Sequence, residues 1–99
     1  MGEGQGGAGA LTPGRVYRIE LRPAARRALT GLAREPQERI RRAIDALVSM
    51  PRPPGVVKMH GAEGYYRLRV GDYRVVYAIE DAVLLVLVVR IGHRREVYR

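Results

Sequence analysis

Hydrophobic and polar side chains alternate along residues 15–21, where Tyr17, Ile19 and Leu21 are separated by Arg18 and Glu20. A period of two is typical of a half-buried β-strand. Proline suits the first turn of a helix, and Pro23 follows this strand. Apolar residues then recur at the i, i+3, i+4, i+7 spacing of a helix, at Ala25, Ala28, Leu29 and Leu32. The pattern therefore predicts a strand followed by an amphipathic helix.

A second helix is predicted after a break near Glu35. Pro36 would begin it, and its buried face would consist of Ile40, Ile44, Leu47 and Val48. Three prolines and a glycine between residues 51 and 55 end this helix and begin an irregular loop. The first half of the chain is therefore a strand and a helical hairpin.

The second half is predicted to be mainly sheet. Residues 65–70 and 73–79 flank Gly71-Asp72, a two-residue loop of the kind that closes tight hairpins. The run 83–89 is wholly apolar, which is typical of a central strand covered on both faces. From Ile91 onward the pattern predicts a turn and a short final strand.

The hairpin loop also predicts a strand register. With Gly71 and Asp72 in the loop, Arg69 lies opposite Arg74, and alternation places Arg67 on the same face as both. Like charges that face each other destabilise a sheet, so this face is predicted to bind an anion such as phosphate. The alternative is that the guanidinium groups extend into water or pair with loop carboxylates such as those of Glu63 or Asp72.

Composition agrees with an anionic partner. The 99 residues include 18 Lys and Arg against 10 Asp and Glu, for a net charge of +8, and every basic residue except Lys58 is Arg. Arginine favours bidentate phosphate contacts. The alternative explanation is that a GC-rich genome encodes Arg in place of Lys irrespective of function. The length suits one domain, expected over residues 15–99, preceded by a disordered Gly-rich leader over residues 1–14.

Several classes of protein are disfavoured. Cysteine is absent, which excludes disulfides, thiolate catalysis and Cys-based zinc sites. The two histidines lack spaced carboxylates, so no metal is expected. Residues 1–14 do not have the regions of a signal peptide, and the longest apolar run, 82–89, is too short to cross a bilayer. A cytoplasmic protein is expected.

Titratable and cationic side chains crowd the last nine residues, where His93, Arg94, Arg95 and Tyr98 follow the apolar strand. Together they could bind phosphate and transfer protons. His93 is the natural candidate for proton transfer because an unperturbed histidine titrates near neutral pH. A turn residue that hydrogen-bonds to the backbone is the alternative for His93.

Three segments in this order resemble the RelE branch of the RelE/ParE toxin superfamily: Tyr66-Arg-Leu-Arg69, Gly71-Asp-Tyr-Arg-Val-Val-Tyr77 and Ile91-Gly-His-Arg-Arg-Glu-Val-Tyr98. The resemblance covers residues 15–99. It implies an α+β fold in which a β-strand and then an α-helical hairpin pack on an antiparallel β-sheet of about four strands. It also implies the toxin of a type II toxin–antitoxin system, with an acidic, RelB-like antitoxin as partner.

The resemblance further implies a ribosome-dependent endoribonuclease that cuts mRNA in the ribosomal A site. The ribose 2′-hydroxyl attacks the phosphate and leaves a 2′,3′-cyclic end, without metal or cofactor. By position, the resemblance implies that Arg67 and Arg69 lie beside the 2′-hydroxyl and phosphate. It also implies that Arg74 binds phosphate, that Arg94 stabilises the transition state or leaving group, and that Tyr98 orients or stacks on the nucleotide.

One departure concerns the general base. The best-known members have Lys at the positions of Arg67 and Arg69, and arginine in proteins stays protonated. His93, Tyr98 or His60 would have to transfer protons, unless electrostatics and alignment of the 2′-hydroxyl suffice. Lys58, His60 and Arg95 are expected to contact RNA.

Two other functions are compatible with the same fold and residues. A ParE-like toxin has the same fold but binds DNA gyrase and does not cleave RNA. A nucleic-acid-binding module without nuclease activity would use the same arginines to grip phosphates.

Overall fold

The computed structural model describes residues 15–61 and 63–93. The elements in chain order are β1 (Arg18–Leu21), α1 (Pro23–Thr30), α2 (Arg34–Ala46), β2 (Val57–Lys58), β3 (Tyr65–Val70), β4 (Tyr73–Glu80), a 3₁₀ turn (Asp81–Val83) and β5 (Leu85–His93). This arrangement confirms the predicted α+β fold. The expected leader lies outside the described residues.

The sheet has five strands in the order β1-β5-β4-β3-β2. β1 runs parallel to β5, and the other neighbours are antiparallel. The expectation of about four antiparallel strands therefore needs correction in two places. β2 has only two residues, too few to produce an alternating pattern. The alternation in β1 marks its buried face but says nothing of the direction of the strand beside it.

The helices confirm the predicted hairpin, with one shifted boundary. α1 begins at Pro23 as predicted, and the N–H of Gly31 bonds to the carbonyl of Arg27 at its end. α2 begins at Arg34, so the break lies at residues 31–33 and not near Glu35. Pro36 is tolerated in the first turn because the N–H groups there have no partner within the helix.

Both helices cover one face of the sheet, here called the helix face. Its core contains Ala25 and Leu29 from α1, and Ile40 and Ile44 from α2. The strands add Tyr66, Val75, Tyr77, Val86, Val88 and Ile91, and Tyr17 joins them from just before β1. At about 25 cal/mol per Å² of apolar surface, burial of this face is the main stabilising contribution.

The β3–β4 hairpin has the predicted register. Val70 pairs with Tyr73, Arg69 with Arg74 and Arg67 with Val76. Gly71 has a φ of +61°, and no positive φ occurs at Asp72, which fits a turn with glycine at its first central position.

The last strand differs from its predicted boundaries. β5 begins at Leu85 because Val83 belongs to the 3₁₀ turn and Leu84 is left-handed, with a φ of 52°. It continues through Ile91 to His93, where a turn was predicted. Along β4 and β5, Tyr77 pairs with Val88 but Val76 pairs with Arg90, so Val89 is the extra residue of a β-bulge.

Candidate nucleic-acid interface

Four arginines share the sheet face opposite the helices. Arg69 and Arg74 are directly opposed on β3 and β4, and Gly92 of β5 continues their row. In the next row, Arg67 and Arg90 lie on either side of Val76. Opposed residues of an antiparallel pair project to the same side, so the four positions belong to one surface. We call Arg67, Arg69, Arg74 and Arg90 the arginine face.

These arginines differ in exposure. Arg74 is only 5% exposed, and its Nη1 donates to the carbonyl of Tyr73 at 3.2 Å. Arg67 is half-buried, whereas Arg69 and Arg90 are exposed. Arg74 is therefore held by the fold, and the charge that reaches solvent is mainly that of Arg69 and Arg90.

Sequence reasoning missed Arg90, and the bulge explains why. The pairing of Glu80 with Leu85, continued without interruption, would set Arg90 opposite Val75 on the helix face. The extra residue Val89 reverses the alternation, so Arg90 lies opposite Val76 instead. A charged residue at the end of an apolar run was the only signal of this in the sequence.

His93 lies on the other side of the sheet. It pairs with Tyr73, and the two rings meet edge to face with centroids 5.7 Å apart and planes at 79°. Tyr73 packs against the core of the helix face. The structure therefore does not bring His93 together with the arginine face. The alternative in which His93 is a turn residue does not hold either, since it ends β5.

The remaining predicted site residues fall into two groups. Lys58 pairs with Tyr66, so its position belongs to the helix face at the outer edge of the sheet. His60 is exposed in the following loop, where it lines an open hollow with Lys58 and Glu63. Neither joins the arginines. Arg94, Arg95 and Tyr98 lie outside the described residues.

A second polar cluster, which the sequence did not predict, ties the loop after α2 to the sheet. Arg52 forms a bidentate pair with Asp81, at 2.8 and 3.3 Å, and its Nε donates to the hydroxyl of Tyr66 at 3.0 Å. The hydroxyl of Tyr17 donates to Asp81 at 2.6 Å, and that of Tyr77 donates to the carbonyl of Pro51 at 2.8 Å. We call these side chains the Arg52 clasp.

Electrostatics within the Arg52 clasp follow from these contacts. The hydrogen bonds from Arg52 and Tyr17 lower the pKa of Asp81 to about 2, and those to Asp81 and Tyr66 raise the pKa of Arg52. Burial raises the pKa of Tyr77 to about 12, so its hydroxyl stays a donor at neutral pH. Because every partner is internal, the clasp is a structural feature and not a ligand site.

Two kinds of site are not found in the part of the chain that the structure describes. No three His, Asp or Glu side chains there lie close enough to hold a metal ion. None of the described helices is long and apolar enough to cross a membrane.

Comparison with known proteins places the chain in a family. The family model described as the ParE toxin of the type II toxin–antitoxin system, parDE, matches residues 19–98. The chain belongs to this family of toxins. The resemblance to the RelE/ParE superfamily is thereby confirmed. No curated protein matches the chain.

Solved structures of RelE toxins share the fold of this ParE-family chain. RelE in the archaeal RelE–RelB complex of Pyrococcus horikoshii has 27% identity and a TM-score of 0.72, over 80% of this chain and 96% of that one. The RelBE2 toxin–antitoxin complex of Mycobacterium tuberculosis gives 28% identity and a TM-score of 0.68, over 80% and 92%. The isolated RelE toxin of E. coli, at 24% identity and a TM-score of 0.70 over 83% and 90%, shares the fold. The chain is thus a type II toxin with a RelE-like fold.

Proposed function

We propose that this toxin is an endoribonuclease that cleaves mRNA in the ribosomal A site and so inhibits translation. The observation that carries the proposal is the opposed pair Arg69 and Arg74 at the centre of the arginine face. Like charges at opposed positions of a sheet repel each other, and a phosphate between the two guanidinium groups would attract both.

The chemistry is attack of the ribose 2′-hydroxyl on the adjacent phosphate. The phosphorane that forms carries more negative charge than the diester, so fixed guanidinium groups stabilise it more than the ground state. Arg74 suits this role because the fold already holds it. Arg67 and Arg69 would align the 2′-hydroxyl and the phosphate, and Arg94 and Tyr98 remain the candidates for the leaving group and the nucleotide.

Arginine cannot act as the base, since its guanidinium remains protonated. His93 lies on the opposite side of the sheet, which argues against its taking a proton at a phosphate held by these arginines. The proposed catalysis therefore rests mainly on charge stabilisation and alignment.

The proposal includes an acidic antitoxin as partner. Relatives of the same fold are seen in RelE–RelB complexes. The net charge of +8 favours an acidic segment, and α1 contributes Arg26 and Arg27 with no acidic residue in its first turn. We expect an acidic antitoxin to be encoded beside this gene and to bind tightly in isothermal titration, and absence of binding would contradict this part of the proposal.

The match to the ParE model favours a second candidate, inhibition of DNA gyrase by binding. This function needs no catalytic arginines, so variants of the arginine face would keep their toxicity. A supercoiling assay with purified gyrase measures it directly.

The deciding experiment is a cleavage assay on mRNA-programmed ribosomes with mapping of the cut ends. Wild type is compared with Arg69→Ala and with Arg42→Ala, which removes the same charge from the exposed side of α2. Cuts in the A-site codon that disappear only in Arg69→Ala would support the nuclease. Intact mRNA, together with loss of gyrase supercoiling, would establish the ParE-like function instead.

A further inference from the structure

Arg90 has a defined place relative to the predicted phosphate site. It lies two strands from Arg67, across Val76, in the row next to Arg69 and Arg74. Neighbouring strands are about 4.8 Å apart and residues rise about 3.4 Å along a strand, which puts the backbone of Arg90 roughly 10 Å from Arg67 and roughly 12 Å from Arg69. Arg90 is roughly 8 Å from the backbone of Arg74 by the same spacings, so it lies to one side of a phosphate held between Arg69 and Arg74.

The β-bulge makes this placement specific. Without Val89 as an extra residue, Arg90 would point at the core and Ile91 at the arginines. Bulges re-aim side chains beside functional sites. The bulge therefore has two effects. It buries Ile91 in the core, where it is 5% exposed, and it places Arg90 in an exposed position on the arginine face.

A single-stranded nucleic acid presents a phosphate at every nucleotide, so a chain held at one phosphate carries the next one to a neighbouring position on the surface. We infer that Arg90 binds the phosphate adjacent to the one held by Arg69 and Arg74, so that the arginine face grips two consecutive phosphates of one strand. The identification of that strand as RNA rests on the proposed function. Arg90 is a binding residue in this scheme, and the reacting phosphate is the one at Arg69 and Arg74.

The test measures binding to uncleavable oligonucleotides in which one phosphate at a time is neutral. Short 2′-O-methyl RNAs lack the attacking hydroxyl, and a methylphosphonate replaces each linkage in turn. Fluorescence anisotropy gives the affinity of wild type, Arg90→Ala, Arg90→Lys and the control Arg42→Ala. For wild type, neutral linkages at two adjacent positions are each expected to weaken binding roughly fivefold.

The variants separate the two contacts. Arg90→Ala is expected to become insensitive to one of these two linkages and to keep its sensitivity to the other. The slope of log affinity against log salt should become shallower by about 0.7, the value for loss of one phosphate contact on a single strand. Arg90→Lys should restore the slope, and Arg42→Ala should match wild type at every linkage. On programmed ribosomes, Arg90→Ala should raise KM about fivefold and leave kcat near that of wild type.

Two results would overturn the inference. One is an Arg90→Ala variant with the same sensitivity as wild type at both linkages, and the other is a wild type that does not distinguish neutral from charged linkages. These outcomes are separate from failure of the proposed nuclease. If the linkage pattern holds but ribosome-bound mRNA stays intact, the phosphate contact stands and the nuclease is wrong.

Discussion

At the scale of single residues, the charges of the arginine face are expected to favour phosphate binding and to disfavour folding. Arg69 and Arg74 are directly opposed, and like charges at opposed positions of a sheet are expected to repel each other. Such a conflict between a local rule and the fold is typical of functional sites. Removing one charge should therefore help the fold and harm binding.

Arg69→Ala is expected to raise the free energy of unfolding by about 0.5 kcal/mol at low salt, because cross-strand charge pairs contribute on that scale. The gain in stability should vanish in about 1 M salt, where the Debye length is roughly 3 Å and the charges are screened from each other. Thermal unfolding at low and high salt measures both. Arg42→Ala is the control, since it removes the same charge from the exposed side of α2. A loss of stability in Arg69→Ala that is independent of salt would contradict the repulsion.

The Arg52 clasp gives the opposite case, a residue that serves stability. Asp81→Asn keeps the shape of the side chain but removes its charge. We expect a loss of about 1 kcal/mol at neutral pH, a small value because both Arg52 and Asp81 are about half exposed. The folded-state pKa of Asp81 is lowered from 3.8 to about 2, so its contribution is complete above about pH 4 and is lost as the pH falls toward 2.

Urea unfolding of wild type and Asp81→Asn across this pH range measures the prediction. The difference between the two proteins should shrink from neutral pH to pH 2. Asp45→Asn makes the same change at an exposed position of α2 and should show no such convergence. A difference that persists unchanged at pH 2 would mean that the ionised carboxylate is not what stabilises the clasp.

At the scale of elements, the β3–β4 hairpin was the most predictable part. A two-residue loop that contains glycine fixes the register of the two strands. The alternation of side chains then assigns Arg67, Arg69 and Arg74 to one face of the sheet. β5 was less predictable because its apolar residues do not alternate with polar ones, so the sequence does not indicate which side of the sheet each residue faces. The bulge at Val89, the exposure of Arg90 and the helix-face position of His93 all follow from that single ambiguity.

Gly71 shows how the hairpin loop is constrained. Its φ is +61°, and an added Cβ would lie 3.0 Å from Nη2 of Arg39 on α2. We expect Gly71→Ala to lower the free energy of unfolding by about 1–2 kcal/mol, chiefly from backbone strain at the positive φ, with a smaller share from displacement of the flexible end of Arg39. Chemical denaturation measures the loss.

Gly55→Ala is the matched control, since Gly55 also has a positive φ, +87°, but has nothing within 4 Å of the added Cβ. Its cost should be smaller than that of Gly71→Ala. In an Arg39→Ala background, Gly71→Ala should no longer lose more stability than Gly55→Ala. Equal costs at the two glycines in the wild-type background would show that Arg39 does not constrain the loop.

At the scale of the whole molecule, the sheet joins distant parts of the chain in a way that the sequence pattern did not indicate. β5 lies between β1 and β4, although β1 precedes it by more than the length of both helices. The Arg52 clasp likewise joins Tyr17, Arg52 and Asp81, which are far apart in sequence. Local periodicity cannot predict such pairings, because it describes which face of an element is buried and not which element lies beside it.

Hydrogen exchange should reflect this architecture. Tyr77, Val86 and Val88 at the centre of β4 and β5 are fully buried, whereas Val57 of the two-residue edge strand β2 is 44% exposed. We expect the amides of β4 and β5 to exchange only on global unfolding and those of β2 to exchange through local opening. Amide exchange followed by NMR under native conditions measures the two classes. Equal protection of β2 and β5 would contradict this order.

The parallel pairing of β1 with β5 also has a consequence for the order of synthesis. While the chain is being made, β1 and both helices emerge first, followed by the β3–β4 hairpin with three of the four arginines. β1 has no strand to pair with until Leu85–His93 has followed. β5 joins the two halves of the sheet, so a nascent chain of this toxin cannot complete the sheet, or bring Arg90 to the arginine face, until Leu85–His93 has been translated.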